Sequence, residues 1–450
     1  MLVTPTPSDP EGRSPGGSQR PIAAGEPILI ASNIRNRPIR MDWYCYIAWA
    51  AVFVQLLFVY SAARNYRYVR SKSVARKEAT HRPRTTLIIP CKGLDARFDS
   101  NIRSFIEQEY ENFRLFFVVE NESDPAYRQL QALKTRFGGN SRALEIRILV
   151  AGASQTSGQK IHNLLYAYRQ VPDDTKVLAF ADSDVYVQRD WLARLVRPLR
   201  RPRCGVATGY RWFVPLDNHL ATLAMSSING AVAQFLGNSP FNHAWGGSMA
   251  VRIEDFRRLG IPQVWSNTLS DDLSLSQAVK RAGMRVTYVP ECLVASFEST
   301  SWPKLLEFGR RQFLITRVYA PWTWRLGLLS SAGSVAGLWG GAAMAVHAAR
   351  HHTSHLLLCA AIPCLFLAGQ IIRAVLRQLT AAQVLQKHLP QLLPAALADI
   401  LGCWLWSIML LASMISSAFG RTIRWRGIRY KLISPSKTLI LEDDASAGNG

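Results

Sequence analysis

Two carboxylates one residue apart, Asp182-Ser-Asp184, directly follow the apolar run VLAF. A strand ending in such a pair puts both acids at its C-terminal edge. Hard divalent cations, Mg²⁺ or Mn²⁺, take oxygen ligands of this kind and keep positions open for substrate phosphates. A bare Asp-x-Asp triplet is more often a solvated turn; its place after a buried strand favours the metal reading. A second pair, Asp271-Asp272, precedes the helical run LSLSQAVKRAG. One acid could cap the helix while the other, as a general base, takes a proton from an acceptor hydroxyl. Both could equally be N-terminal charges favoured by the helix dipole.

Three further groups bear on a phosphate chemistry. The run Trp245-Gly-Gly-Ser-Met-Ala-Val-Arg252 sets Gly246 and Gly247 just before a strand, where a backbone must turn or approach a ligand closely. Lys160, in GQKIHNLL, opens a helix after a Gly/Ser loop and could balance phosphate charge, although lysines there are usually only solvated. Arg310, Arg311 and Gln312 are consecutive; forked donors here could hold a leaving diphosphate or contact lipid phosphates.

The elements that must position these residues alternate strand and helix. TTLIIP, RLFFVVE, EIRILV, VLAFAD and RVTYVP read as strands between helical stretches, giving an α/β sheet with mostly parallel strands and ligands at their C-terminal ends. Around this block the chain is 48% hydrophobic and 19% charged, which calls for membrane segments. The net charge of +22 suits nucleic acid, an anionic membrane or a phosphate-bearing substrate. The cysteines are scattered, without zinc-ligand spacing, and read as reduced packing residues.

The sequence divides accordingly. Residues 1–40, rich in Pro, Gly and Ser, read as a disordered leader. Residues 43–63 carry no charge and are long enough to span a bilayer. Arg35, Arg37 and Arg40 precede that segment, but a denser basic run from Arg64 to Arg84 follows it, so residues 64–299 should face the cytoplasm. Residues 300–325 mix Trp and Arg like an amphipathic interfacial helix. Residues 326–420 form a C-terminal membrane region; the apolar stretches 356–375 and 392–419 look like crossings, and 326–347 could cross, re-enter or lie at the interface. A basic then acidic tail, 421–450, should also be cytoplasmic, and two C-terminal crossings satisfy that parity where three do not. Arg373 and Asp399 fall inside apolar segments and are left without a role.

In this order the motifs resemble the inverting, lipid-directed glycosyltransferases of the GT-A fold, most closely the ceramide glucosyltransferase family, from about Thr85 to about Arg317. TTLIIPCKG is similar to the family's opening strand, VVENESD to its second strand end, QKIHNL to its lysine helix, ADSD to its metal-proximal Asp, and GGSMAVR with LSDDLSLSQAV to its acceptor-side loop and catalytic base. The resemblance implies Asp182 at metal and diphosphate with Asp184 assisting, and Asp272 as base beside Asp271. It also implies Lys92, Glu120 and Asn121 at the nucleotide, Lys160 at the phosphates, and Gly246, Gly247, Arg310, Arg311 and Gln312 on the acceptor or leaving-group side. It further implies a UDP-sugar donor, a lipid acceptor such as ceramide, and a β-linked product. Two departures stand out: Asn121 occupies the place of a family Asp, and no Trp follows the Arg310-Arg311-Gln312 cluster.

Other classes fit less well. A transporter would place ionisable groups at mid-membrane and has no use for strands ending in DSD. A nucleic-acid binder would gather basic and aromatic residues on one module, whereas here they flank membrane segments. Within enzymes, a transferase on another lipid or on a polysaccharide is the alternative.

Overall fold

The computed structural model describes residues 43–74, 81–352 and 355–441. The leader 1–40, the Arg76-Lys77 pair and the acidic end 442–450 lie outside the described residues. The catalytic block is an α/β domain of the GT-A type. Its first strands are β1 (Thr85–Pro90), β2 (Phe113–Val119), β3 (Glu145–Val150) and β4 (Val177–Ala181); β1, β2 and β4 are close to unbroken apolar runs because both faces of the sheet are covered there, whereas β3 at the edge is half-buried and carries Glu145 and Arg147. They are followed by β5 (Val185–Tyr186), β6 (Cys204–Pro215), β7 (Ser248–Arg252) and β8 (Arg285–Glu298). The order across the sheet is β3-β2-β1-β4-β7-β6-β8-β5. β1, β2, β3 and β4 run parallel, so Lys92, Glu120 and Asp182 leave the sheet at one edge. β7 runs antiparallel to both β4 and β6, which brings its start, just after Gly247, to that same edge. Two apolar cores flank the sheet, one around Phe105, Phe117 and Trp191 and the other around Phe180, Phe256 and Trp265.

Among the described residues four helices are long and apolar enough to cross a membrane: Tyr46–Lys72, Pro321–Arg350, Leu356–Val384 and Gln386–Ser417. The first helix runs from Trp43 to Val74, beyond the 43–63 segment read from the sequence, and ends on the domain: Asn65 Nδ2 donates to the Gln234 carbonyl at 3.0 Å and the Tyr68 hydroxyl to the Tyr288 carbonyl at 2.9 Å. The Pro321–Arg350 and Leu356–Val384 helices form a hairpin, in close contact where Gly337 faces Phe366 and Gly341 faces Pro363. The last helix (Leu389–Ser417) behaves differently. Leu392 near its start packs with Trp212 and Val214 of β6. Trp406 packs with Phe213 and Leu305. At its end Arg310 Nη1 donates to the Ser416 carbonyl at 2.9 Å. It thus touches the domain or the Trp302–Tyr319 helix near its start, its middle and its end. The sequence reading paired 392–419 with 356–375 as crossings. Both stretches fall in helices long and apolar enough to cross, and so does Pro321–Arg350.

Residues 422–441, read from the sequence as tail, form a three-stranded antiparallel sheet of β9 (Thr422–Trp425), β10 (Ile428–Ser434) and β11 (Lys437–Leu441). It docks on the catalytic domain through Ile423, Tyr430 and Leu432, which pack with Leu269, Leu314 and Tyr319. Arg-Gly between two alternating runs was the overlooked hairpin signal.

Among the apolar helices one charged pair is fully enclosed. Asp399, 0% exposed, accepts from Arg377 Nε at 2.6 Å, Arg377 Nη2 at 2.5 Å and Gln378 Nε2 at 2.7 Å, joining the last helix to its neighbour. Asp399→Ala would leave the guanidinium without its counter-charge and should destabilise the protein by about 3–5 kcal/mol, whereas Arg377→Met with Asp399→Leu should recover most of that loss. Thermal unfolding of the three proteins in one detergent checks this.

Candidate active site

At the sheet edge a lysine holds two carboxylates together. Lys160 lies in the first turn of the Gln159–Tyr168 helix, and its Nζ is 2.7 Å from Asp182 Oδ1 and 3.2 Å from Asp271 Oδ2. Burial works against the ammonium, yet Asp182 and Asp271 raise its pKa above the ordinary lysine value. Burial also disfavours the charge on Asp182, but Lys160 prevails and its pKa is lowered. Asp271, whose side chain is 5% exposed, is pushed up to about 6 because burial outweighs the help from Lys160.

Gly246 and Gly247 are fixed by this cluster. A Cβ on Gly246 would stand 2.4 Å from Asp271 Oδ2 and 2.8 Å from Lys160 Nζ, and one on Gly247 would meet the Trp245 ring at 2.2 Å and Asp182 Oδ2 at 2.7 Å. The loop is held by backbone donors: Ala244 N to Ser276 Oγ at 2.8 Å, Trp245 N to Thr208 Oγ1 at 3.0 Å and Gly246 N to Asp272 Oδ2 at 3.0 Å. Ser270 caps the Asp271–Arg281 helix, accepting from Leu273 N, and gives its own proton to Asp272 Oδ1 at 2.6 Å. Leu273 N also donates to Asp272 Oδ1, at 2.7 Å. Both carboxylates stand in the first turn, where the helix dipole favours them. Capping and chemistry thus use the same two residues.

Asp184 lies beyond the turn, 3.6 Å from Arg211 Nη1, with its Oδ1 buried and free of hydrogen-bond partners. Burial and the neighbouring Asp182 raise its pKa. Two crowded carboxylates with an orphaned oxygen fit a hard cation. Among the described residues no set of three or more His, Cys, Asp or Glu side chains converges, so such an ion would complete its shell with phosphate and water oxygens.

On the nucleotide side Lys92 Nζ pairs with Glu120 Oε2 at 2.9 Å across the ends of β1 and β2. Asn121 sits in the exposed turn that follows, its Oδ1 accepting from Ser123 Oγ at 2.6 Å. The arginine cluster is split. Arg310 is occupied by the carbonyls of Ser416 and Phe419 at the end of the last helix, so it serves as a helix cap and not on the leaving-group side. Arg311 faces the other way, over the rings of Phe308 and Trp425. Gln312 is half-buried on the same helix, its carbonyl accepting from Thr316 Oγ1 at 2.9 Å. Sequence reasoning missed Arg211, a charge inside the apolar strand run GYRWFVP that was itself the available signal. It also missed Arg426, in the β9–β10 turn.

The fold and this edge define a membrane-attached α/β protein with a carboxylate-rich site. A model of glycosyl transferase family 21 matches residues 45–438, and the chain belongs to that family. It is 25% identical over 193 residues to a ceramide glucosyltransferase of Pyricularia oryzae, covering 39% of this chain and 37% of that one. It is 27% identical over 149 residues to a ceramide glucosyltransferase of Gibberella zeae, covering 32% and 28%. The alignments therefore span little more than a third of these relatives at most. A mannosyltransferase from Pyrobaculum calidifontis, solved with GDP-Man and Mn²⁺, superposes over 83% of this chain and 96% of its own with 17% identity and a TM-score of 0.44.

Because the pKa of Asp271 is raised in the folded state, folding takes up a proton between its unfolded value, about 3.9, and about 6. Stability from this group is therefore greatest below pH about 4 and falls as pH rises to about 6. Asp271→Asn should remove that part of the pH dependence and melt no lower than the parent above pH about 6. Melting curves of both proteins across this range provide the check.

Proposed function

We propose that the chain transfers a hexose, with glucose the leading choice, from a UDP-sugar to the hydroxyl of a membrane lipid of the ceramide type, inverting the anomeric centre, at the cytoplasmic face. The observation that carries this reading is the join between the carboxylate edge and the membrane-side helices. The Tyr319 hydroxyl accepts from Leu269 N at 2.8 Å, two residues before Asp271, and His243 Nε2 meets Thr323 Oγ1 at 3.0 Å, three residues before Gly246. In this reading a lipid headgroup hydroxyl reaches Asp272 without leaving the bilayer surface. The relatives' own name, ceramide glucosyltransferase, supports the choice of sugar and acceptor.

In this reading the acceptor oxygen attacks the anomeric carbon while Asp272 takes its proton and the bond to the diphosphate oxygen breaks. Three donors, the Ser270 hydroxyl and the amides of Leu273 and Gly246, fix both oxygens of Asp272. Lys160, held beside Asp182, supplies positive charge toward the departing diphosphate. Asp182 and Asp184 would hold a divalent cation, which neutralises charge on the diphosphate when bound. Lys92 and Glu120 line the nucleotide side.

The test is transfer by the purified protein in lipid nanodiscs, with a panel of UDP-sugars and defined lipid acceptors, followed by mass and anomeric analysis. Asp272→Asn should lower the rate by roughly 10²- to 10⁴-fold with donor binding kept. An α-linked product, or full activity in that variant, would defeat the single-displacement reading.

Asn121 competes with Glu120 or Glu122 for the contact that the family's Asp would make to the nucleotide. Asn121 can accept through its amide oxygen and donate through its nitrogen. Asn121→Ala should raise the donor Michaelis constant by an amount equivalent to about 1–3 kcal/mol, and Asn121→Asp should remain active. An unchanged constant there, with a large rise in Glu120→Ala, would move the role to Glu120.

A further inference from the structure

The C-terminal sheet is anchored on the site itself. The Tyr430 hydroxyl accepts from Gln159 N at 3.3 Å, one residue before Lys160, and Thr438 N donates to the Asn267 carbonyl at 2.9 Å, four residues before Asp271. From this anchorage the β9–β10 turn reaches across to the end of β1. There Arg426 Nη2 lies 3.2 Å from Asp95 Oδ1, and its Nη1 lies 3.4 Å from the Lys92 carbonyl. Both turn residues have positive φ, +50° at Arg426 and +87° at Gly427, the pattern of a tight two-residue hairpin whose first place usually falls to Asn, Asp or Gly. An arginine held in that conformation at a carboxylate edge points to a ligand.

The surrounding charges agree. Although burial opposes it, Asp95, Asp184 and Asp182 together hold the Arg426 guanidinium above its ordinary proton affinity. Arg311 makes no hydrogen bond or ion pair among the described residues. It stacks on Trp425, next to Arg426 in the chain, and is drawn down to about 10 by burial and by the fields of Arg211 and Arg426. Arg211 and Arg426 both repel the Arg311 guanidinium, and an anion with several oxygens would relieve it.

We propose that Arg426 is a ligand of the donor's diphosphate, delivered by the C-terminal sheet, which makes that sheet part of the nucleotide site. The proposal rests on the nucleotide-sugar reading above. It requires Arg426 to exchange one of its contacts with Asp95 for phosphate oxygen. The competing account is a staple: the Arg426–Asp95 pair merely fastens the turn to the domain.

The experiment measures binding of UDP and of GDP to the full chain in nanodiscs by titration calorimetry, with melting curves to establish folding. Arg426→Ala should weaken the preferred diphosphate by about ten- to a hundredfold, the loss of charge-assisted hydrogen bonds. Asp95→Ala breaks the same ion pair but frees the guanidinium, so it should bind the diphosphate as tightly as the parent or more tightly. Equal weakening in both variants would establish the staple and overturn the proposal, as would parent-like affinity in Arg426→Ala. Should Arg426→Ala fail to fold, Arg426→Lys decides, because it keeps the charge without the fork: several-fold weaker binding supports the proposal and unchanged binding overturns it. A parent that binds neither diphosphate would refute the donor reading itself and the Arg426 role with it.

Discussion

The ammonium of Lys160, wedged between Asp182 and Asp271, is the contact on which the rest of this edge depends. One carboxylate ends β4 and the other starts a helix that lies far along the chain. Each would be costly to enclose alone, since a buried charge without its counter-charge is strongly disfavoured. With the lysine between them, the donor side of the sheet and the acceptor side become one structure. The spacing then leaves no room for a Cβ at Gly246 or Gly247, and that tightness lets the Gly246 amide turn onto Asp272. A glycine pair that sequence reading could assign only to a turn or a ligand is demanded here by the carboxylates.

The membrane elements follow from a second constraint, the docking of the C-terminal sheet onto the catalytic domain. Because β9 to β11 pack on the same domain as the first strands, the chain between must leave and return to one side of the bilayer. The Pro321–Arg350 and Leu356–Val384 helices pack as a hairpin, and the last helix packs on the domain at Leu392 and Trp406. Arg310 and Arg317 secure its end by donating to carbonyls of Ser416, Ala418, Phe419 and Gly420.

Packing also governs what the sequence revealed. β1, β2 and β4 were readable because an apolar strand covered on both faces leaves a continuous run, and β3, β7 and the start of β8 showed as shorter β-rich runs; the acids after β4 fall at a place the parallel order dictates. The role of Arg310 was not readable, since adjacent arginines on a helix point to different sides and only packing tells which one is occupied by carbonyls. Arg211 was hidden inside a strand whose register places it beside Asp184. Arg426 could not be connected to β1 at all: their proximity is a product of tertiary docking between segments 331 residues apart.

The aspartate pair shows how one local pattern can carry two duties. Asp271 is enclosed, faces Lys160 and lies beneath the glycine loop, so a lipid hydroxyl has no path to its oxygens. Asp272, one residue on, is only half-buried, and each of its oxygens already receives a proton donor from Ser270, Leu273 or Gly246. Those bonds fix its orientation while carboxylate lone pairs remain for an incoming hydroxyl. On the proposed mechanism the first acid therefore ties the helix start to the donor edge, and the second, aimed by that tie, meets the acceptor. The helix dipole favours negative charge at both places, so the start of one helix serves both acids.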